Sequence, residues 1–279
     1  MTEQKRTEHN MLMEYIQDDC MVDIDQKIDY PPVALSCGEK LIKTKDGDLL
    51  VPIALGTYGN LSVITAPPKT MKTFFVSLLA SAYLSNTNIY TGKIKGHRNN
   101  GHLIHYDTEQ GFWHCSKVFR RPLDMDKNIP KNNYHHFALR TVGYKERLSF
   151  IEWYLKNQIK EKSLVIIDGI ADLCNDVNNI EQSNELVASL MRISTKYNCH
   201  IVNVIHQNYG SQKLGTGHLG SALEKKSETV ISLEANTVNK DWVTVKCGRS
   251  RGYCFETFSF EVNKFGLPQV VDDIYDPLA

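Results

Sequence analysis

Lys72 and Thr73 stand where a short loop, Ala66-Pro67-Pro68-Lys69-Thr70-Met71, runs into an apolar stretch at residues 73–84. A second apolar run, residues 61–65, precedes the loop. A strand, a loop and a helix that opens with Lys-Thr can bind phosphate. Backbone N–H groups curl around the oxygens, the lysine reaches the β and γ positions, and the hydroxyl reaches Mg²⁺. On the spacing G-x-x-x-x-G-K-[ST] the final pair is in place, but Ala66 and Met71 occupy the two glycine positions. Glycine is favoured there for its unusual φ/ψ values and for close backbone approach. Met71 is expected to take a helical conformation at the loop-to-helix junction, with its side chain pointing away. The same residues also read as a basic turn that caps a helix.

Further along, His105-Tyr106-Asp107-Thr108-Glu109 closes a second apolar run. A carboxylate such as Glu109 at a strand end beside a phosphate loop can orient and deprotonate a water. Leu164-Val165-Ile166-Ile167-Asp168 is four apolar residues closed by an acid, which can hold Mg²⁺ through its water shell. Residues 201–205 end in His206-Gln207, amide and imidazole groups able to sense a γ-phosphate. Lys246, Arg249 and Arg251 surround the end of a late strand, where a cation can stabilise a transferring phosphoryl group. Taken singly, Glu109 reads as a loop acid, His206 as structural and the late cations as a solvated face.

The elements needed to position these groups are legible as alternating short apolar strands and helices, the mark of a parallel sheet. Strands are expected at 61–65, 102–106, 137–139, 163–167 and 200–205, with helices at 73–84, 111–121, 146–159 and 181–197. Strands at 229–234, 242–247 and 256–262 form a β-rich carboxyl-terminal part. Lys45-Asp46-Gly47-Asp48 between two apolar runs signals a hairpin. Residues 11–16 allow a short helix in an amino-terminal extension.

The 279 residues are ample for an α/β core without disulfide or metal support. Thirty-two Lys+Arg balance thirty-two Asp+Glu, which excludes a wholesale basic surface for coating nucleic acid. No apolar run approaches the ~20 residues that span a bilayer, and the amino terminus lacks a secretory pattern. Seven cysteines without a C-x-x-C pair fit a reduced cytoplasm and argue against a disulfide framework or zinc module.

Loop lysine, strand-end Glu, strand-end Asp, strand-end His-Gln and late cations follow one another in the order of a RecA-like ATPase core. Over residues 60–262 the sequence resembles that family, most closely the small plasmid-type hexameric replicative helicases (RepA-like) and the ATPase domain of DnaB-like helicases. The resemblance implies an α/β RecA-like P-loop NTPase fold at 59–279, after an extension and hairpin at 1–58. It implies ATP or ADP with Mg²⁺ as cofactors, a homo-oligomeric, hexameric ring as assembly and single-stranded DNA as partner. Ala66, Pro67, Pro68, Lys69, Thr70 and Met71 would form the cradle, Lys72 and Thr73 would bind phosphate and Mg²⁺, and Asp168 would join Thr73 at the metal. Glu109 would be the base and His206 with Gln207 the sensor, while Lys246 and Arg249 or Arg251 would reach a neighbour's nucleotide.

The glycine-rich loop at 208–220 suits a DNA-contacting loop, with Lys213 for charge and Tyr209 or His218 for stacking. A motor in replication or mobilisation of a plasmid, phage or mobile element is the leading expectation. The missing glycines keep open a nucleotide-binding regulatory or assembly protein with little turnover. A recombinase-like filament former and a non-nucleotide α/β enzyme are further alternatives.

Overall fold

A computed structural model describes residues 3–45, 47–85, 89–207 and 215–271. Contacts group Met1–Pro31 into one unit and Pro32–Ala279 into another. The first unit carries α1 (Glu3–Cys20), 18 residues where the sequence suggests a short helix over residues 11–16. Its Glu, Gln, Lys, Leu and Met residues are good helix formers, and only Cys20 and the turn beyond it end the run.

In the second unit, β1 (Val33–Thr44) and β2 (Gly47–Thr57) pair antiparallel as the expected hairpin. Gly47 takes φ 121° at its turn, a value that L side chains avoid; Asp46 lies outside the described residues. The core continues through β3 (Leu61–Ala66), α2 (Lys72–Leu84), β4 (Ile94–Gly96), β5 (His102–Asp107), α3 (Phe112–Met125) and β6 (Tyr134–Ala138). Next come α4 (Tyr144–Gln158), β7 (Ser163–Asp168), α5 (Ile180–Lys196), β8 (Cys199–His206) and α6 (Gly217–Lys226). Four strands close the described chain: β9 (Thr229–Ala235), β10 (Trp242–Ser250), β11 (Phe258–Val262) and β12 (Pro268–Val271). Two strands, β4 and β12, have no counterpart among the expected elements, and each is too short to show periodicity.

Nine strands form one sheet in the order β12-β11-β10-β9-β3-β8-β7-β5-β6. From β9 to β6 every pairing is parallel, and from β9 to β12 every pairing is antiparallel. This is the parallel core with a β-rich carboxyl-terminal part that the sequence implies. Strand alternation splits the apolar side chains between two layers. Ile64, Ile166 and Val204 join the layer that holds α2, α3 and the hairpin. Val63, Ile167 and Ile205 join the layer under α4, α5 and α6. Burial on both faces explains why these central strands are continuously apolar.

Two expectations change. Cys247 and Cys254 are joined in a disulfide, with Cα atoms 5.6 Å apart. A strand and the turn after it bring together two cysteines whose spacing in sequence announces nothing. In addition, β10 runs on to Ser250, so Arg249 pairs opposite Val230 within the strand instead of following its end. Among the described residues no helix is long and apolar enough to cross a membrane.

Candidate functional site

The carboxyl ends of β3, β5, β7 and β8 face one cavity of about 310 Å³. Open α/β sheets place their ligand crevices at this edge. Lys69, Met71, Lys72 and Thr73 line it from the loop, and Glu109, Asp168 and His206 from the other strand ends. Cavities of about 410 Å³ and 480 Å³ elsewhere are walled mainly by helices and gather no such set from strand ends.

The loop keeps left-handed backbone geometry without glycine. Lys69 has φ 65°, and Met71, at the N-cap of α2, has φ 56° and ψ 31°. Met71 is therefore not in the right-handed helical conformation expected of it, and its side chain packs against the apolar core. From there its carbonyl accepts the Phe74 and Phe75 N–H groups that begin the helix. Such a residue type carries about 1–2 kcal/mol of local cost in this region. The Thr70 hydroxyl donates to the Pro67 carbonyl and Ala66 is buried in β3, so Ala66, Pro67, Pro68 and Thr70 form the body of the loop and leave the wall to others.

Lys72 Nζ lies 2.9 Å from His206 Nδ1 and 3.3 Å from the Pro67 carbonyl. The other ring nitrogen, Nε2, lies 3.6 Å from Glu109 Oε1. An ammonium donates to Nδ1 only in the neutral tautomer that carries its proton on Nε2, and that proton then faces Glu109. Burial lowers the Lys72 pKa, opposed by the charges of Glu109 and Asp168. Hydrogen bonding from His206 holds the Glu109 carboxyl below its usual value.

Asp168 behaves in the opposite way. Burial, with Asp107 and Glu109 adding repulsion, pushes its pKa up to about 7, while the Thr73 hydroxyl favours its charged form. Asp168 Oδ2 is buried without a hydrogen-bond partner. An orphaned carboxylate oxygen beside a hydroxyl fits a hard divalent cation that takes its remaining ligands from phosphates and water. Among the described residues no cluster of three or more His, Cys, Asp or Glu could hold a metal by itself.

Not every expected residue reaches the cavity. Gln207 turns away from it, 5% exposed, and donates to Thr65 Oγ1 at 3.1 Å. Lys246 pairs with Glu234 at 3.0 Å, and Arg251 donates to the Lys226 carbonyl at 3.0 Å. Arg249 is exposed on β10. His218 is exposed at the start of α6, whereas Tyr209 and Lys213 lie outside the described residues.

One cation in the cavity escapes a reading of the sequence. Arg121 of α3 lines the wall, stacks 3.8 Å over the Phe74 ring and leaves Nη1 buried without a partner. Nothing in a lone Arg-Arg pair on a polar helix marks it.

A family model described as an AAA domain matches residues 53–212. Among solved structures, the ATPase domain of another protein superposes with a TM-score of 0.56 at 15% identity, covering 78% of this chain and 87% of that one. A DnaB-like replicative helicase, described with its interactions with primase, gives 0.56 at 15% identity and 77% of this chain. The match covers 58% of that helicase. Comparison with curated protein sequences finds no match. At such identity the likeness is one of fold, and the fold is RecA-like. With more than half of its length matched, the chain belongs to the AAA domain family.

Proposed function

We propose that this chain binds ATP or ADP with Mg²⁺ and hydrolyses ATP as a motor on DNA, a helicase-type protein in replication or mobilisation of a plasmid, phage or mobile element. One observation carries the reading: Lys72, Thr73, Glu109, Asp168 and His206, from four strand ends, meet around one cavity. Lys72 binds phosphate oxygens, Thr73 and Asp168 hold the metal, and Glu109 takes the proton of the attacking water. Mg²⁺, when bound, supplies neutralisation of charge on the phosphates. His206, bonded to Lys72 and close to Glu109, senses the γ-phosphate from between them.

In this reading subunits form a hexameric ring in the cytoplasm, with Arg249 or Arg251 and Lys246 acting across the interface. Single-stranded DNA is met by the segment between β8 and α6. Support comes from the fold shared with an ATPase domain and a replicative helicase. ATP turnover with and without single-stranded DNA, beside Lys72→Ala, tests the proposal. Lys72→Ala should lose turnover and bind nucleotide about 10–100-fold more weakly, as for one charge-assisted contact. Equal affinity would sink the assignment.

The left-handed Lys69 and Met71 favour a second reading, binding with little turnover. Normal nucleotide affinity with no hydrolysis in any DNA condition would select it.

A further inference from the structure

Asp107, the last residue of β5, is 1% exposed and takes no direct part in the chemistry proposed for the cavity. Its carboxylate accepts three N–H groups. Oδ1 takes those of the Glu109 backbone at 3.1 Å and the Gln110 backbone at 2.8 Å, and Oδ2 takes Gln110 Nε2 at 2.8 Å. We propose that Asp107 is the positioning residue of Glu109, holding the turn from which that carboxylate acts; this rests on Glu109 being the base.

The Glu109 side chain is 46% exposed, and among the described residues it is held by His206 at 3.6 Å and by the charge of Lys72. Packing therefore does not fix it, and its aim depends on the backbone that carries it. The turn is pinned from the other side as well. The Thr108 N–H donates to the Asp168 carbonyl at 3.1 Å, and the Thr108 hydroxyl donates to the Gly169 carbonyl at 2.8 Å. Gly169 has φ 104°, and a Cβ there would lie 2.2 Å from Thr108 Oγ1 and 2.9 Å from Glu109 Cγ. The tip of β7 thus closes on the turn as tightly as backbone allows. Asp107 supplies the remaining constraint, since without it the N–H groups of Glu109 and Gln110 lose their acceptor and the turn can swing. A general base must sit within hydrogen-bond reach of its proton, so a small swing costs rate while leaving phosphate contacts alone.

The experiment is a double-mutant cycle on full-length protein, reading kcat and ADP affinity. Asp107→Ala should lower kcat by about tenfold or more with ADP affinity within about threefold of wild type. Asp107→Asn should retain kcat within about threefold, because its carbonyl still accepts the backbone donors and Gln110 can turn its amide to match. In a Glu109→Gln background Asp107→Ala should cost nothing further, since residues that act through one another are not additive. Full additivity, a fall in ADP affinity parallel to kcat, or equal losses in Asp107→Ala and Asp107→Asn would each overturn the proposal. Unchanged turnover in Asp107→Ala beside a Glu109→Gln reduced to residual turnover overturns it alone. Unchanged turnover in Glu109→Gln overturns it together with the base assignment. Should Asp107→Ala not fold, Asp107→Leu, which keeps the side chain's shape and removes every acceptor, takes its place with the same outcomes.

Discussion

Lys72 Nζ and His206 Nδ1 are 2.9 Å apart, so the loop lysine is bonded to the strand end that follows the core of the sheet. β3 and β8 are adjacent and in register, with Ala66 opposite His206, and this pairing sets the distance. His206 and the Pro67 carbonyl take two of the three N–H groups of this ammonium, and removing the imidazole frees one more for a phosphate oxygen. His206→Ala should therefore bind ADP at least as tightly as wild type while losing more than about tenfold in turnover. Calorimetric titration of ADP beside single-turnover hydrolysis checks both halves, and weaker ADP binding would show that His206 contacts the nucleotide in its own right.

Asp168 sets a pH dependence. Its folded pKa of about 7 lies above the ordinary 3.8, so the native state holds a proton that the unfolded chain releases. Stability from this group is complete below about pH 4 and is lost as pH rises through about 7. Mg²⁺ requires the ionised carboxylate, so its affinity with nucleotide should rise about tenfold between about pH 6 and pH 8. Thermal unfolding with and without Mg²⁺ across that window reads both effects. In Asp168→Asn the pH slope and the stabilisation by Mg²⁺ should disappear together.

Arg121 should prove a nucleotide ligand. Its guanidinium is desolvated, stacked on Phe74 and short of a partner at Nη1. Arg121→Ala should weaken ADP binding about 10–100-fold, the value of a charge-assisted bond to phosphate. Arg121→Lys should recover little, because a lysine lacks both the planar fork and the stacking face. Unchanged ADP affinity in both variants would leave Arg121 as wall packing.

The groups at the ends of β5, β7 and β8 are legible in the sequence because each closes a continuously apolar run, and a parallel sheet delivers all such ends to one edge. Gln207 departs from its expected role for the same geometric reason that places His206 well. Adjacent residues leaving a strand point to opposite faces, so only one of the pair can look into the cavity. Asp107 and Arg121 are illegible, since their meaning lies in a turn and in a helix face that spacing does not encode. Glycine misleads at α6. Gly215 and Gly220 read as loop flexibility but instead permit close packing, for a Cβ on Gly220 would lie 2.2 Å from the Gly215 carbonyl carbon. The disulfide is hidden because strand-to-turn proximity, and not a motif, joins Cys247 to Cys254.

Arg249 of β10 bears on assembly. Its register partner is Val230, which pairs with Val63, three residues before the end of β3 at Ala66. That offset is about 10 Å back along the sheet and about 10 Å across two strand spacings, with the phosphate loop lying farther on. One arginine side chain does not bridge that gap, and among the described residues Arg249 makes no side-chain hydrogen bond or ion pair. If it acts on a phosphate, the phosphate belongs to another copy. Arg249→Ala should then bind ADP normally and lose turnover, because its charge is needed in the transition state alone. An equal mixture with Glu109→Gln, which keeps only residual turnover, should regain activity. In a head-to-tail ring about a quarter of interfaces would join an intact Glu109 to an intact Arg249. Mixed rings are verified by co-purification of differently tagged chains. If such rings form and stay inactive, Arg249 does not complete a neighbour's site, and the same mixture made with Arg251→Ala becomes the deciding test.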